Sequence, residues 1–300
     1  MTRRFIAAAS AMALITACGG AEKETAKTAG DTTTASETSS ALQNAGAETK
    51  PTEKIPAIVE EVVTAPVEPI SIEFTSDHLS AAANIDGEIG AFAPDLMARI
   101  KEEVEADIEG SKAHAAEDAG ERAENFYQHD FQADFIKVAS VGDIISVESA
   151  TMIDGGGAHP NFWTGGIIHD RSTGNDLAPS ALLSPEGEAE MEALLKDELA
   201  KQKLVRMGFE EADLPIMRQD VDEVFPEDIA SWFGQVTLIP STEEDKFGGL
   251  VVHYSPYDVG AYAEGSYDIL VKASELGTMI DPAFAEMFGG EPGIDFESRD

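Results

Sequence analysis

The sequence predicts an α+β fold of two small linked lobes, each with antiparallel strands packed on a long helix. Two long helical stripes alternate with short β-branched segments in mostly hairpin order, which favours α+β over a doubly wound sheet. A run of three glycines, Gly155-Gly156-Gly157, separates the two sets.

The organisation along the chain begins with an export signal. Arg3 and Arg4 precede an uncharged apolar stretch over residues 5–17, too short to span a bilayer. Ile15-Thr16-Ala17-Cys18 then resembles the bacterial lipobox, in which the cysteine is acylated and becomes the new N-terminus. A plain secretory signal beside a stray cysteine is the alternative, although a secreted free thiol is itself anomalous. Cys18 is the only cysteine of the chain, so the exported part has no disulfide, thiolate nucleophile or Cys-rich zinc site. Residues 1–17 are thus the signal peptide and 18–67 a tether: Ala, Thr, Ser, Glu and Lys, then Pro51, Pro56 and Pro66, cannot bury enough apolar surface to offset ordering entropy. The first lobe is expected over 68–155, the second over 156–288, and a flexible tail over 289–300.

In the first lobe, residues 70–74 alternate apolar and polar as a strand. Pro94 opens a helix whose Leu96, Ile100, Val104 and Ile108 recur every four residues. Residues 135–147 read as a hairpin around Ser140-Val141-Gly142-Asp143, extended by 151–153. In the second lobe, 162–169 is a strand, 171–175 a turn and 177–183 a short connector. Ser184-Pro185-Glu186 is a well-formed helix start, with Ser as N-cap and Pro at the first position. Met191, Leu194, Leu195, Leu199 and Val205 are expected to form the buried face of that helix. Lys201, Lys203 and Arg206 stand at its negative end, and Gly208 stops it. Residues 235–239, 250–254 and 267–271 supply the remaining strands.

Charge is the most unusual bulk property. Of 57 acidic and 20 basic residues, 49 and 14 lie from Glu68 onward. Such a surface repels nucleic acid and anionic lipid, and speeds encounter with cationic partners. A saline or generally acidic proteome produces the same charge for solubility alone.

Motifs for chemistry are mostly missing. The chain has no Gly-x-Ser-x-Gly, Ser-x-x-Lys, His-Glu-x-x-His, Gly-x-x-x-x-Gly-Lys or Cys-x-x-Cys. With so many acids, close carboxylate pairs arise by chance, so no catalytic dyad is assigned. Six histidines are scattered. His159 and His169 stand at the two ends of one expected strand, too far apart to share a metal, and the favoured reading is ordinary hydrogen-bonding histidines with no metal and no cofactor.

The segment Asp154-Gly155-Gly156-Gly157-Ala158-His159-Pro160-Asn161, followed by Phe162 and Trp163, is built for a sharp corner. Its Gly156-Gly157-Ala158-His159, with the later Asp170-Arg171-Ser172-Thr173-Gly174-Asn175-Asp176-Leu177, resembles signature stretches of an extracytoplasmic domain. That domain occurs in RsiV-type anti-sigma factors and PdaC-type peptidoglycan deacetylases. A second block agrees: residues 249–258, containing Ser255-Pro256-Tyr257-Asp258, then Tyr262-Ala263-Glu264-Gly265 and Val271. Asn175 replaces the family's usual Lys, and Ala261 stands where Pro is common. The resemblance implies two linked α+β lobes and a binding role in the cell envelope; in the anti-sigma branch the partner is lysozyme, a cationic protein. This chain carries neither a sigma-binding segment nor a deacetylase module, so neither whole function transfers.

The reading that results is a non-catalytic lipoprotein, held to the membrane through Cys18 and facing the periplasm. Gly19 after the cysteine favours the outer membrane where the cell has one. Its ligand is a basic envelope protein or peptidoglycan; a peptidoglycan-acting hydrolase, deacetylase or accessory subunit is the alternative. His159, Trp163, Tyr257 and Tyr262 are the candidate ligand contacts, and Gly155, Gly156, Gly157 and Gly265 the structural turn positions. Tyr257 and Tyr262 more commonly cap a core than touch a ligand, yet aromatic hot spots favour such places too.

Overall fold

A computed structural model describes residues 66–122, 124, 126–226 and 235–294, which belong to one compact unit. The signal peptide, Cys18 and nearly all of the tether lie outside the described residues. Among those described, no helix is long and apolar enough to cross a membrane.

The architecture is α+β, with two sheets. Strands β1 (Ile70–Thr75) and β2 (Leu79–Ile85) form a hairpin, and a short helix α1 (Gly87–Phe92) leads into α2 (Pro94–Glu121). The chain then returns as β3 (His129–Val141), β4 (Ile144–Asp154), β5 (Asn161–Asp170) and the two-residue β6 (Asn175–Asp176). These six lie side by side in sequence order. All neighbours are antiparallel except β2 and β3, which run parallel because α2 carries the chain back across the sheet. The other four pairings keep the mostly hairpin order expected from the sequence.

After β6 come α3 (Pro185–Arg206), α4 (Leu214–Val224) and an antiparallel three-stranded sheet of β7 (Val236–Pro240), β8 (Phe247–Tyr254) and β9 (Tyr267–Lys272). Two apolar clusters hold the layers. The stripe Leu96, Ile100, Val104 and Ile108 of α2 packs on Ala81 and Ala83 of β2, Phe131 and Ala133 of β3, and Ile145 and Val147 of β4. Each fully buried aliphatic side chain there contributes about 1.5–3 kcal/mol. The second cluster joins Met191, Leu195 and Leu199 of α3 to Leu238, Leu250, Val252 and Ile269 of the small sheet.

Alternation makes the six-stranded sheet serve both cores. In β4, Ile145 and Val147 face α2, whereas Ile144 belongs to the α3 cluster and Ser146 accepts a bond from Leu238 N at 2.8 Å. On β3 a bulge between Lys137 and Ala139 turns the alternation over, so Phe131 and Ala133 serve one core and Ala139 and Val141 the other. The sheets meet closely at Gly166, where any Cβ would overlap the Val236 carbonyl.

These contacts bear on the expected boundaries. Position 155 falls between β4 and β5, which pair from Ile144 with Asp170 to Ile153 with Asn161, so the first sheet continues past the glycine run. The expected tail is bonded into the second sheet's surroundings through residue 293: Gly289 N donates to Phe247 O at 3.0 Å, and Gly293 N to Pro240 O at 2.7 Å.

Two side chains of α3 correct the sequence reading. Val205 is 78 % exposed, and the stripe Leu195, Leu199 continues four residues on at Lys203, 1 % exposed. Lys203 is therefore a core residue and not a surface cation at the helix end. Its ammonium lies 3.0 Å from Asp220 Oδ2 and 3.2 Å from Glu264 Oε2.

Candidate ligand-contact site

The β4–β5 corner is set by an Asp154 carboxylate that accepts from Gly156 N at 2.9 Å, with Gly156 at φ 71°. Of the four turn glycines, Gly156 and Gly265 occupy the left-handed region that favours glycine, while Gly155 and Gly157 do not. The corner delivers His159 to a position where two distant tyrosines meet it.

Tyr262 opens a single helical turn, residues 262–264, and its ring stacks on His159 with centroids 3.5 Å apart and planes at 15°. Its hydroxyl donates to Pro160 O at 2.7 Å. His159 Nδ1 lies 3.2 Å from the same carbonyl, which can only accept, so Nδ1 carries the proton. In the neutral ring with that tautomer, Nε2 accepts a hydrogen bond from the Tyr257 hydroxyl at 3.1 Å.

Tyr257 is held in an unusual way. Asp258 N donates to Ser255 O at 3.0 Å, closing a turn with Pro256 second and Tyr257 third. Tyr257 has φ 79°, where such a turn ordinarily takes Gly or Asn. A bulky residue at positive φ costs on the order of 1–3 kcal/mol and persists where the surroundings over-determine it. Here they do: Asp258 Oδ2 accepts from Ser255 N at 2.7 Å and Gln235 Nε2 at 3.0 Å, and Ser255 Oγ accepts from Thr164 N at 3.0 Å. Burial raises the Asp258 carboxyl above its ordinary range, partly offset by its bonds from Ser255 and Gln235. The Tyr257 ring remains 61 % exposed.

The expected contacts His159, Tyr257 and Tyr262 thus form one three-ring cluster. Trp163 stands outside it, half-buried on β5 opposite Thr151.

The other histidines have separate settings. His169 is buried against Asp176, both of whose carboxylate oxygens also accept from Arg99 Nη2. His253 joins Thr237 Oγ1 at 2.9 Å and Asp268 Oδ1 at 2.8 Å. That order of contacts matches a nucleophile, base and orienting acid, but Thr237 and His253 are each 1 % exposed, so no substrate reaches the hydroxyl and the network ties three strands together. His159, His169 and His253 do not converge. The group that does bring metal-ligating atoms together among the described residues is His114, Asp118 and His129, which the sequence reading passed over although His114 and Asp118 are four apart on a helix.

No family model and no curated protein matches the chain. Among solved structures it is similar to a DUF3298 family protein from Pseudomonas aeruginosa PAO1, at 16 % identity and a TM-score of 0.46, over 76 % of this chain and 99 % of that one. It is also similar to a DUF3298 family member from Bacteroides fragilis, at 16 % identity and a TM-score of 0.45, over 75 % and 98 % of the two chains.

Proposed function

We propose that this chain is a lipid-anchored envelope protein whose α+β domain binds a basic protein ligand, with the Tyr257, His159 and Tyr262 rings as the contact platform. One observation carries the reading: an exposed tyrosine sits where its turn prefers glycine, held by a network of part-buried polar bonds. Core-capping needs neither the exposure nor the strain. An aromatic ring fixed before the ligand arrives loses little entropy on binding, which is the usual basis of an aromatic hot spot. The surrounding excess of carboxylates favours approach by a cationic partner. Attachment through Cys18 places this surface on the envelope side of the membrane.

The test is capture of envelope proteins by the soluble domain, residues 68–300, with lysozyme as a defined basic ligand. Tyr257→Ala should leave the melting temperature unchanged within error and weaken capture about tenfold or more, the effect of losing a hot-spot ring. Full capture by the folded variant removes this cluster from the binding site. Sedimentation with purified peptidoglycan, sensitive to the same substitution, would replace the protein ligand by a glycan one.

A further inference from the structure

Helix α2 presents His114 and Asp118 one turn apart, and the chain comes back to begin β3 at His129. The ligand-capable atoms of the three all lie within 4.8 Å of one another. His129 Nε2 and Asp118 Oδ2 are 3.3 Å apart. Metal bonds of about 2.0–2.1 Å in tetrahedral geometry require ligand atoms about 3.3 Å apart, so this pair already has the spacing of one tetrahedral edge. His114 is exposed on the helix surface, and its ligand atom lies within 4.8 Å of the other two.

An ordinary ion pair accounts for part of this. His129 and Asp118 make one, and Arg122 Nη1 adds a third member at 3.7 Å from Asp118. That account does not involve His114, whose ring centroid lies 5.4 Å from that of His129. Two imidazoles that close can each turn a ring-nitrogen lone pair toward one central cation. The setting is also graded as a metal site needs. His129 is 4 % exposed and stacks on Phe126 at 5.5 Å, Asp118 is half-buried, and His114 opens the site to water.

The geometry points to a binding site for a divalent ion of the zinc class, with His114, Asp118 and His129 as its protein ligands. Two imidazoles and one carboxylate suit zinc, nickel or copper, whereas calcium and magnesium prefer all-oxygen sets. Three protein donors leave a coordination position for water or a ligand atom. The ion ties the last turns of α2 to the start of β3. Arg122, whose side chain is 57 % exposed, swings away from Asp118 when the ion enters. The site is independent of the aromatic platform.

The full chain carrying Cys18→Ser, which removes the competing thiol, is stripped with chelator and titrated with ZnCl2 by calorimetry. One equivalent is expected to bind, with affinity reduced about tenfold or more in His114→Ala and in Asp118→Asn. Zinc should also raise the melting temperature of the parent, because it binds the folded state, and have a smaller effect on both variants. His114 is exposed, so its Ala variant keeps the fold, and its circular dichroism without metal should match the parent. Equal zinc binding by parent and variants would assign the ion to scattered carboxylates and overturn the site, as would the lack of any saturable zinc binding by the parent. Equal competition by MgCl2 would overturn the metal class.

Discussion

Lys203 offers the sharpest check on the packing argument. The ammonium is buried, with carboxylates at 3.0 Å and 3.2 Å. At an effective dielectric of about 20, each attraction is worth about 5 kcal/mol before desolvation, which costs several kcal/mol per buried ion and removes most of it. The two partners differ: the Asp220 side chain is 46 % exposed and that of Glu264 14 %. Glu264→Gln therefore leaves a buried cation with one well-solvated partner and should cost about 3 kcal/mol, the lower end for a broken buried pair. Lys203→Met keeps the aliphatic packing and removes the charge together with its desolvation cost. Glu264 then retains bonds from Tyr267 Oη and Ala261 N, both at 2.9 Å, so this change should cost about 1–2 kcal/mol. Urea unfolding with an unchanged m value is the measurement. The double variant should be no less stable than Glu264→Gln alone, a coupling of about 1 kcal/mol or more. A Lys203→Met cost exceeding that of Glu264→Gln would refute the reasoning.

The same pair sets an acid response. Burial by itself raises the Glu264 carboxyl, but bonds from Ala261 N, Tyr267 Oη and Lys203 outweigh it, and the net position is below the ordinary glutamate range. A depressed carboxyl contributes stability above its unfolded value, about 4.3, and loses it as pH falls through the folded one. Stability should therefore decline below about pH 5 in the parent and less steeply in Glu264→Gln.

Three further outcomes are expected. Gly166→Ala places a methyl on the Val236 carbonyl and should destabilise by about 3 kcal/mol or more, read as a lowered melting temperature, since backbone and not a flexible side chain must move. Tyr262→Phe removes the bond to Pro160 O and should cost about 1 kcal/mol in the same unfolding assay. Cys18→Ser should release the chain from membranes in a high-salt wash, while deletion of residues 22–50 leaves the melting temperature of the domain unchanged.

Much of the fold was legible because its signals are local. The α2 stripe, the Ser184 N-cap, which accepts from Gly187 N at 3.0 Å, and the β3–β4 hairpin all follow from short-range pattern. Strand β2 was not, because Leu79-Ser80-Ala81-Ala82-Ala83 is poor in β-branched residues. Its small side chains are what let α2 lie close on the sheet, a tertiary requirement with no local trace. Lys203 failed for a similar reason. A lysine near a helix end ordinarily faces water, and the acids that make burial tolerable stand 17 and 61 residues later.

The candidate site divides along the same line. Family resemblance placed the glycine corner and the Pro-Tyr block in one domain, and the structure joins them through His159 on Tyr262. The strain at Tyr257 had no sequence signal, since Ser-Pro-Tyr-Asp reads as an ordinary turn until its third φ is known. His114 and Asp118 did carry a signal, a His and an acid at i and i+4 on a helix. What hid it was the third member: His129 lies beyond the helix end, and its return to α2 depends on the parallel pairing of β2 with β3, from Leu79 with His129 to Ile85 with Phe135. A crossover through a 28-residue helix leaves no local pattern, so helix spacing alone shows two of the three ligands and not the third.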